Sequence, residues 1–324
     1  MRPMPLRALR RLLLALAVWL AAGSVPSGAQ VIQPVAPPPP GQAAPRLDVP
    51  YGPTSPVLVD AMLRLANLGP RDFLIDLGSG DGRINIAAAR EYGVRGAGYE
   101  LDAALVERSR RFARLAGVED KVAFYTANLF GADLSRASVV AVYLGPVVTP
   151  RVAPKLLAEL KPGTRIVSHN FGFGAWQPDL TVQPLGTGTS KVLFWWVPAQ
   201  VAGQWRARFE GAEYRFDLRQ AFQEVDGEVS ISAQRVGTEA GPGGQVRVTL
   251  RDARLQGETL RFLLQEQRAE GFTFRRFEGR VGRDVVEGHV RVDDPPAEQP
   301  MRLERLSRAE PGPVGAWTYT FKAP

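Results

Sequence analysis

Asp76 and Glu100 stand on either side of a turn that holds Gly78, Gly80 and Gly82, in the types and order that a nucleoside-binding wall requires. Asp76-Leu77-Gly78-Ser79-Gly80-Asp81-Gly82-Arg83 places glycine at alternate positions directly after the apolar residues Leu74, Ile75 and Leu77. Residues without a β-carbon let the chain turn tightly and bring main-chain atoms against a ligand. Val94 to Tyr99 then mixes glycine with small or apolar residues and stops at Glu100, 24 residues after Asp76. A carboxylate there can accept both hydroxyls of a ribose. The interval is close to the ~20 residues that separate a glycine loop from the ribose acid at the end of the next strand. A glycine turn alone is often a plain strand-to-helix connection, so the pairing with Glu100 is what makes a nucleotide-like ligand the leading expectation.

Spacing also selects among nucleotides. A dinucleotide fingerprint needs a third glycine where Arg83 stands, which disfavours NAD. The Asp-x-Gly-x-Gly-x-Gly form resembles motif I of class I S-adenosylmethionine-dependent methyltransferases, whose loop passes under the amino-acid part of the cofactor. Ahead of it lies Val49-Pro50-Tyr51-Gly52-Pro53-Thr54-Ser55-Pro56, with Thr54 or Ser55 as a hydroxyl cap for a following helix. Together with Tyr143-Leu144-Gly145-Pro146 and the run from Leu160 to Phe171, these segments resemble the ATP synthase c-subunit lysine N-methyltransferase-like family over Val49 to Pro198. That resemblance implies a Rossmann-like class I methyltransferase sheet and S-adenosyl-L-methionine as cofactor. It implies a lid of Tyr51, Pro53 and Thr54, a cradle of Asp76, Gly78, Gly80 and Gly82, and Glu100 on the ribose. Asn128 and Leu129 would meet the adenine; such enzymes commonly carry an acid there, but an amide can both donate to and accept from the adenine edge. Tyr143 and Pro146 would line the acceptor slot. His169 could take a proton, although a lone histidine after a strand is more often structural.

The elements that must position these residues alternate between helix and strand periods. Helices are expected at Val57–Leu68, Ile84–Tyr92, Ala103–Leu115 and Ala153–Leu160. Strands are expected at Phe73 to Leu77, Val94–Tyr99, Val122–Tyr125, Val139–Leu144, Arg165–Ser168 and Val192–Val197, the last antiparallel as in methyltransferases. From Gly203 the texture changes to short alternating segments, from Trp205–Phe209 through Asp284–Val292 to Trp317–Phe321, and Asp226-Gly227 offers a hairpin turn. A small antiparallel β-barrel or meander over 203–324 follows, outside the resemblance. Trp205, Phe209, Trp317, Tyr319 and Phe321 would fill such a barrel sooner than line a pocket, and His289 reads as a strand-surface residue.

Composition removes other classes. The chain has 324 residues, 45% hydrophobic and 23% charged, which is ordinary for a globular protein of two domains. Arg2, Arg7, Arg10 and Arg11 precede the apolar stretch Leu12–Ala22, and Ser27-Gly28-Ala29 offers a cleavage site. Residues 1–29 therefore read as a signal peptide and 30–48, with Pro37 to Pro40, as an extended linker. The expected location is exported: periplasmic or envelope-anchored in a bacterium, with membrane contact only if the signal remains as an anchor. Four charges of the net +7 belong to the leader, and later arginines alternate with apolar residues, so no nucleic-acid partner is expected. With no cysteine and only His169 and His289, no metal centre is expected. The sequence thus reads as a methyltransferase acting on a protein (lysine) or small-molecule acceptor. The competing expectation is a catalytically inactive methyltransferase-fold scaffold of the cell envelope.

Overall fold

The computed structural model describes residues 50–233, 247–268, 271–293 and 296–309. The expected signal peptide, the proline-rich linker, Val49 and the Trp317–Phe321 strand lie outside the described residues.

Helix α1 (Pro56–Leu65) opens the first half. Its N-cap is Ser55, whose hydroxyl accepts from Leu58 N at 3.4 Å, with Pro56 pre-set for the first turn. The helix stops short of Leu68 because Asn67 adopts a left-handed conformation at φ 47°. Then come β1 (Phe73–Leu77), α2 (Arg83–Tyr92), β2 (Arg95–Glu100), α3 (Ala103–Leu115), β3 (Val122–Thr126), a 3-10 turn (Leu129–Gly131) and β4 (Val139–Val142). Helix α4 (Gly145–Glu159), β5 (Arg165–His169), β6 (Leu180–Val182) and β7 (Val192–Trp196) complete this half. Helix α4 begins well before the expected Ala153. Pro146 sits in its first turn, where no N–H is needed, and Val148, Val152 and Leu156 form a buried stripe that holds the helix through Pro150 and Pro154.

The seven strands order as β3-β2-β1-β4-β5-β7-β6. Strands β1 to β5 pair in parallel, whereas β7 runs antiparallel to β5, as expected, and to the unanticipated β6. Strand order reverses between β1 and β4, and ligands of open α/β sheets bind beyond the carboxyl ends of strands at such a switch. One sheet face packs Ile75, Leu77, Val140, Val142 and Trp195 with α4, and the other packs Leu74, Val139 and Val167 with α1 and α2.

The second half is a closed barrel of eight antiparallel strands: β8 (Gly203–Phe209), β9 (Ala212–Ala221), β10 (Glu224–Ala233), β11 (Arg247–Gln256), β12 (Thr259–Arg268), β13 (Gly271–Val281), β14 (Val285–Asp293) and β15 (Pro296–Arg308). Asp226-Gly227 is not a turn. Both residues lie within β10, opposite Arg219 and Leu218, and the chain reverses instead at Phe222-Gln223. The inward alternation of Val225, Val229 and Ile231 runs unbroken through Gly227 and overrides its turn preference. Strand β15 was not expected, because Pro296 and Pro300 mask an alternation that still turns Met301 and Leu303 inward. Trp205 and Phe209 are buried in the filling of the barrel, and His289 is exposed. At one point the filling is polar: Glu266 accepts from Tyr214 Oη and from Arg275 Nε, each at 2.8 Å, and Arg275 also pairs with Glu210. Outside, arginines pair across strands, as Arg261–Glu278 and Arg291–Glu298 do. Ala199 N donates to Gly257 O and Gln223 Nε2 to Gln177 O, joining the halves.

Candidate active site

The glycine loop is bolted to the strand beside it. Gly78 N and Ser79 N both donate to Tyr99 O, at 2.9 and 3.0 Å, and Gly78, Gly80 and Gly82 all have positive φ. At Gly98 of β2 a β-carbon would stand 2.6 Å from Ser79 Oγ, so a bare strand is what lets the loop nest on the sheet. At Gly80 the obstacle would be Tyr51, whose ring would lie 2.7 Å from an added β-carbon.

Glu100 closes the arrangement. Its Oε2 accepts from Gly80 N at 2.9 Å, while Oε1 accepts from Leu101 N and Asp102 N at 2.7 and 3.0 Å. Three main-chain donors thereby fix the carboxylate at the end of β2; two of them fill Oε1, and Oε2 keeps a lone pair for a ligand hydroxyl. Asp102 serves as the N-cap of α3 and accepts from Ala104 N.

The segment before α1 folds over this loop. Arg83 Nε and Nη2 form a forked pair with Asp81 at 2.9 and 2.7 Å, and Nη1 donates to Thr54 O at 2.8 Å. Arg83, read from sequence only as an objection to NAD, thus ties lid to loop. Burial pushes the Asp81 carboxyl up, but Arg83 outweighs it and leaves Asp81 below the usual carboxylate range. Partial burial, and then the neighbouring Asp81 carboxylate, raise the Tyr51 phenol. Asp76, fully buried at the end of β1, is pushed up to about 8 by desolvation and by the charges of Glu100 and Asp81.

On the far side Tyr143, at the end of β4, stacks on His169 with centroids 3.9 Å apart, and Thr54 Oγ1 meets His169 Nδ1 at 3.3 Å. Burial lowers the His169 pKa, and its Nε2 is buried without a hydrogen-bond partner. Asn128 Oδ1 accepts from Phe130 N at 3.0 Å, capping the 3-10 turn and leaving the amide nitrogen as the group open to a ligand.

One cavity brings together Tyr51, Pro53, Thr54, Asp76, Gly78, Gly80, Glu100, Asn128, Leu129 and Tyr143. Gly82 lies just behind it as the N-cap of α2, and Pro146 stands exposed on the first turn of α4, outside the lining. The wall also includes Ser79, Arg83, Leu101 and Phe130. Leu101 and Phe130 directly follow Glu100 and Leu129, so their positions were the available signal; nothing in the residue types marked them.

A family model described as the ANTKMT methyltransferase domain matches residues 76–180. A protein-lysine N-methyltransferase of Saccharolobus islandicus is 40% identical over 131 residues, which are 40% of this chain and 81% of that protein. The chain belongs to this methyltransferase family. An ATP synthase c-subunit lysine N-methyltransferase of Mus musculus is 37% identical over 154 residues, covering 47% of this chain and 60% of that enzyme. An RNA methyltransferase of Salinibacter ruber, solved with S-adenosyl-L-homocysteine, is 47% identical, covers 46% of this chain and 96% of its own, and superposes with a TM-score of 0.45. The chain thus spans most of one curated relative and about three fifths of the mouse enzyme.

S-adenosylmethionine is the cofactor of this methyltransferase, and the donor set suits it. Glu100 Oε2 offers an acceptor to a ribose hydroxyl, Asn128 offers an amide beside the apolar Leu101, Leu129 and Phe130, and the glycine loop leaves room that β-carbons would fill. The buried Ser79 Oγ, without a protein partner, adds a polar group on the same wall. The expectation of a non-catalytic envelope scaffold finds no support in these comparisons.

Proposed function

We propose that this protein transfers a methyl group from S-adenosylmethionine to the side-chain amine of a protein lysine. The observation that carries the reading is the Glu100–Gly80 hydrogen bond, which makes ribose acceptor and glycine cradle one rigid unit facing Tyr143. When bound, S-adenosylmethionine supplies a methyl group already activated as a sulfonium, which a neutral amine can accept with release of S-adenosylhomocysteine. The residues therefore have to orient the acceptor and deprive it of water, and no strong base is needed. Tyr143, held flat by His169, offers an aromatic wall on the cavity. Against such a wall a lysine ammonium is poorly solvated and gives up its proton more readily. The protein-lysine names of the relatives support this acceptor class over a small molecule.

The test is transfer of labelled methyl from S-adenosylmethionine to extract protein, followed by acid hydrolysis. Label recovered as Nε-methyl-lysine supports the reading. Label in another residue, or only in the small-molecule fraction, overturns the acceptor assignment. A folded protein that yields no labelled product overturns the activity.

A further inference from the structure

The aromatic wall at Tyr143 continues as a row along the carboxyl end of the sheet. Val142 pairs with Ser168, so Tyr143, one residue past β4, stands level with His169 of β5. His169 pairs in turn with Val192 of β7, and Val192 with Val182 at the end of β6. Neighbouring strands lie about 4.8 Å apart, so the row carries roughly 14 Å from Tyr143 to Val182.

Beyond Val182 the chain turns through a loop that is tied together by its own hydrogen bonds. Gln183 Nε2 donates to Gly188 O at 2.7 Å, Thr187 Oγ1 to Pro184 O at 2.7 Å and Ser190 N to Thr187 O at 3.1 Å. Lys191 N donates to Asn170 Oδ1 at 2.8 Å and fastens the end of the loop beside His169. From this braced loop Leu185 stands 97% exposed, and Val182 at its base is exposed as well. No charged residue occurs between Asp179 and Lys191, although 23% of the chain is charged.

A single exposed leucine is ordinary on a protein surface. Leu115 is one, on the last turn of α3 beside Arg114. Leu185 differs in being held out by an ordered loop, on an uncharged strip that is continuous with the edge of the cavity. Such a strip offers nothing to a charged partner and gains by covering itself with an apolar one.

We propose that an extended segment of the acceptor protein lies across this row, with its lysine against Tyr143 and a large apolar side chain against Leu185 and Val182. An extended chain advances ~3.3 Å per residue, which sets the apolar residue about four positions from the lysine. The assignment rests on the protein-lysine reading above and adds where the acceptor is held.

Transfer of labelled methyl to extract protein, at acceptor concentrations below saturation, is compared for wild type, Leu185→Asp and Leu115→Asp. Leu185→Asp is expected to lose roughly fivefold or more of the label in Nε-methyl-lysine, while its calorimetric affinity for S-adenosylmethionine stays within about twofold of wild type. Leu115→Asp is expected to match wild type. Tandem mass spectrometry of the wild-type products should find a large apolar residue about three to five positions from methylated lysines, more often than from unmethylated lysines of the same proteins. Should Leu185→Asp lose its fold by circular dichroism, Leu185→Ser carries the comparison. Undiminished transfer by the folded Leu185 variant, an equal loss in Leu115→Asp, or methylated lysines without apolar enrichment overturns the assignment while leaving the protein-lysine reading in place. A wild-type dimer in sedimentation that Leu185→Asp dissociates gives this leucine to a second copy of the chain and overturns it too. Folded wild type that methylates no lysine overturns the protein-lysine reading, and this one with it.

Discussion

Glu100 and Gly80, twenty residues apart, are joined by a 2.9 Å hydrogen bond from the Gly80 amide to the carboxylate. The acid at the end of β2 thus orders the turn after β1 before any ligand arrives. Glu100→Ala should remove the ribose acceptor and the brace. Loss of charge-assisted hydrogen bonds on this scale corresponds to roughly 2–4 kcal/mol, a drop in S-adenosylmethionine affinity of on the order of a hundredfold. Glu100→Gln, which keeps one acceptor oxygen, should fall in between. Titration calorimetry reads both, and wild-type affinity in either variant would refute the role.

Asp76 gives a pH signature. Its carboxyl titrates near 8 in the folded chain, against 3.8 for a free aspartate side chain. Between those values the folded state holds a proton that the unfolded state has released, so this group's contribution to stability declines as pH rises from about 4 to about 8. Asp76→Asn should flatten that decline and melt higher than wild type at pH 9, with a difference on the order of a few kcal/mol. In wild type, S-adenosylmethionine, a cation, should favour ionised Asp76, so binding at pH 7 should release a proton. Calorimetric heats that scale with buffer ionisation enthalpy would register it.

Gly80→Ala sets a β-carbon against the Tyr51 ring in a backbone at φ 55°. Strain and overlap together should cost roughly 1–3 kcal/mol of stability and weaken the cofactor. Adding Tyr51→Ala should recover the part due to overlap and not the part due to φ. A double-mutant cycle in thermal melts separates the two.

Glu266 tests the barrel. It is fully buried and accepts from both Tyr214 and Arg275. Glu266→Ala removes the buried partner of Arg275 Nε and of Tyr214 Oη, leaves Glu210 to balance the guanidinium, and should destabilise by on the order of 3 kcal/mol. Urea unfolding followed by tryptophan fluorescence should show an earlier transition. An unchanged midpoint would mean that Arg275 finds compensation elsewhere.

Sequence reasoning reached the glycine loop, Glu100 and the alternation of strands with helices because each leaves a local mark: alternating glycines, an acid at a strand end and switching hydrophobic periods. It also separated the barrel from the sheet by texture. What it missed depends on contacts distant in the chain. Helix α4 outlasts two internal prolines because Val148, Val152 and Leu156 are anchored in the core. Asp226-Gly227 continues a strand because ten register pairs with β9 outweigh its local preference. Arg83 looked like a missing glycine, and only the approach of Thr54, 29 residues earlier, reveals what it holds. The choice between Thr54 and Ser55 as helix cap was open for the same reason: His169, far along the chain, engages Thr54 and leaves Ser55 to the helix.

The bareness of β2 at Gly98 has a consequence for how the protein is made. A glycine in mid-strand has little tendency to extend on its own, and here its order is borrowed from β1, β3 and the Ser79 that occupies its vacant side. The cradle cannot mature ahead of the sheet during folding. It is assembled in the same cooperative event as the core, so an intermediate lacking native sheet packing would have no grip on a nucleoside at all.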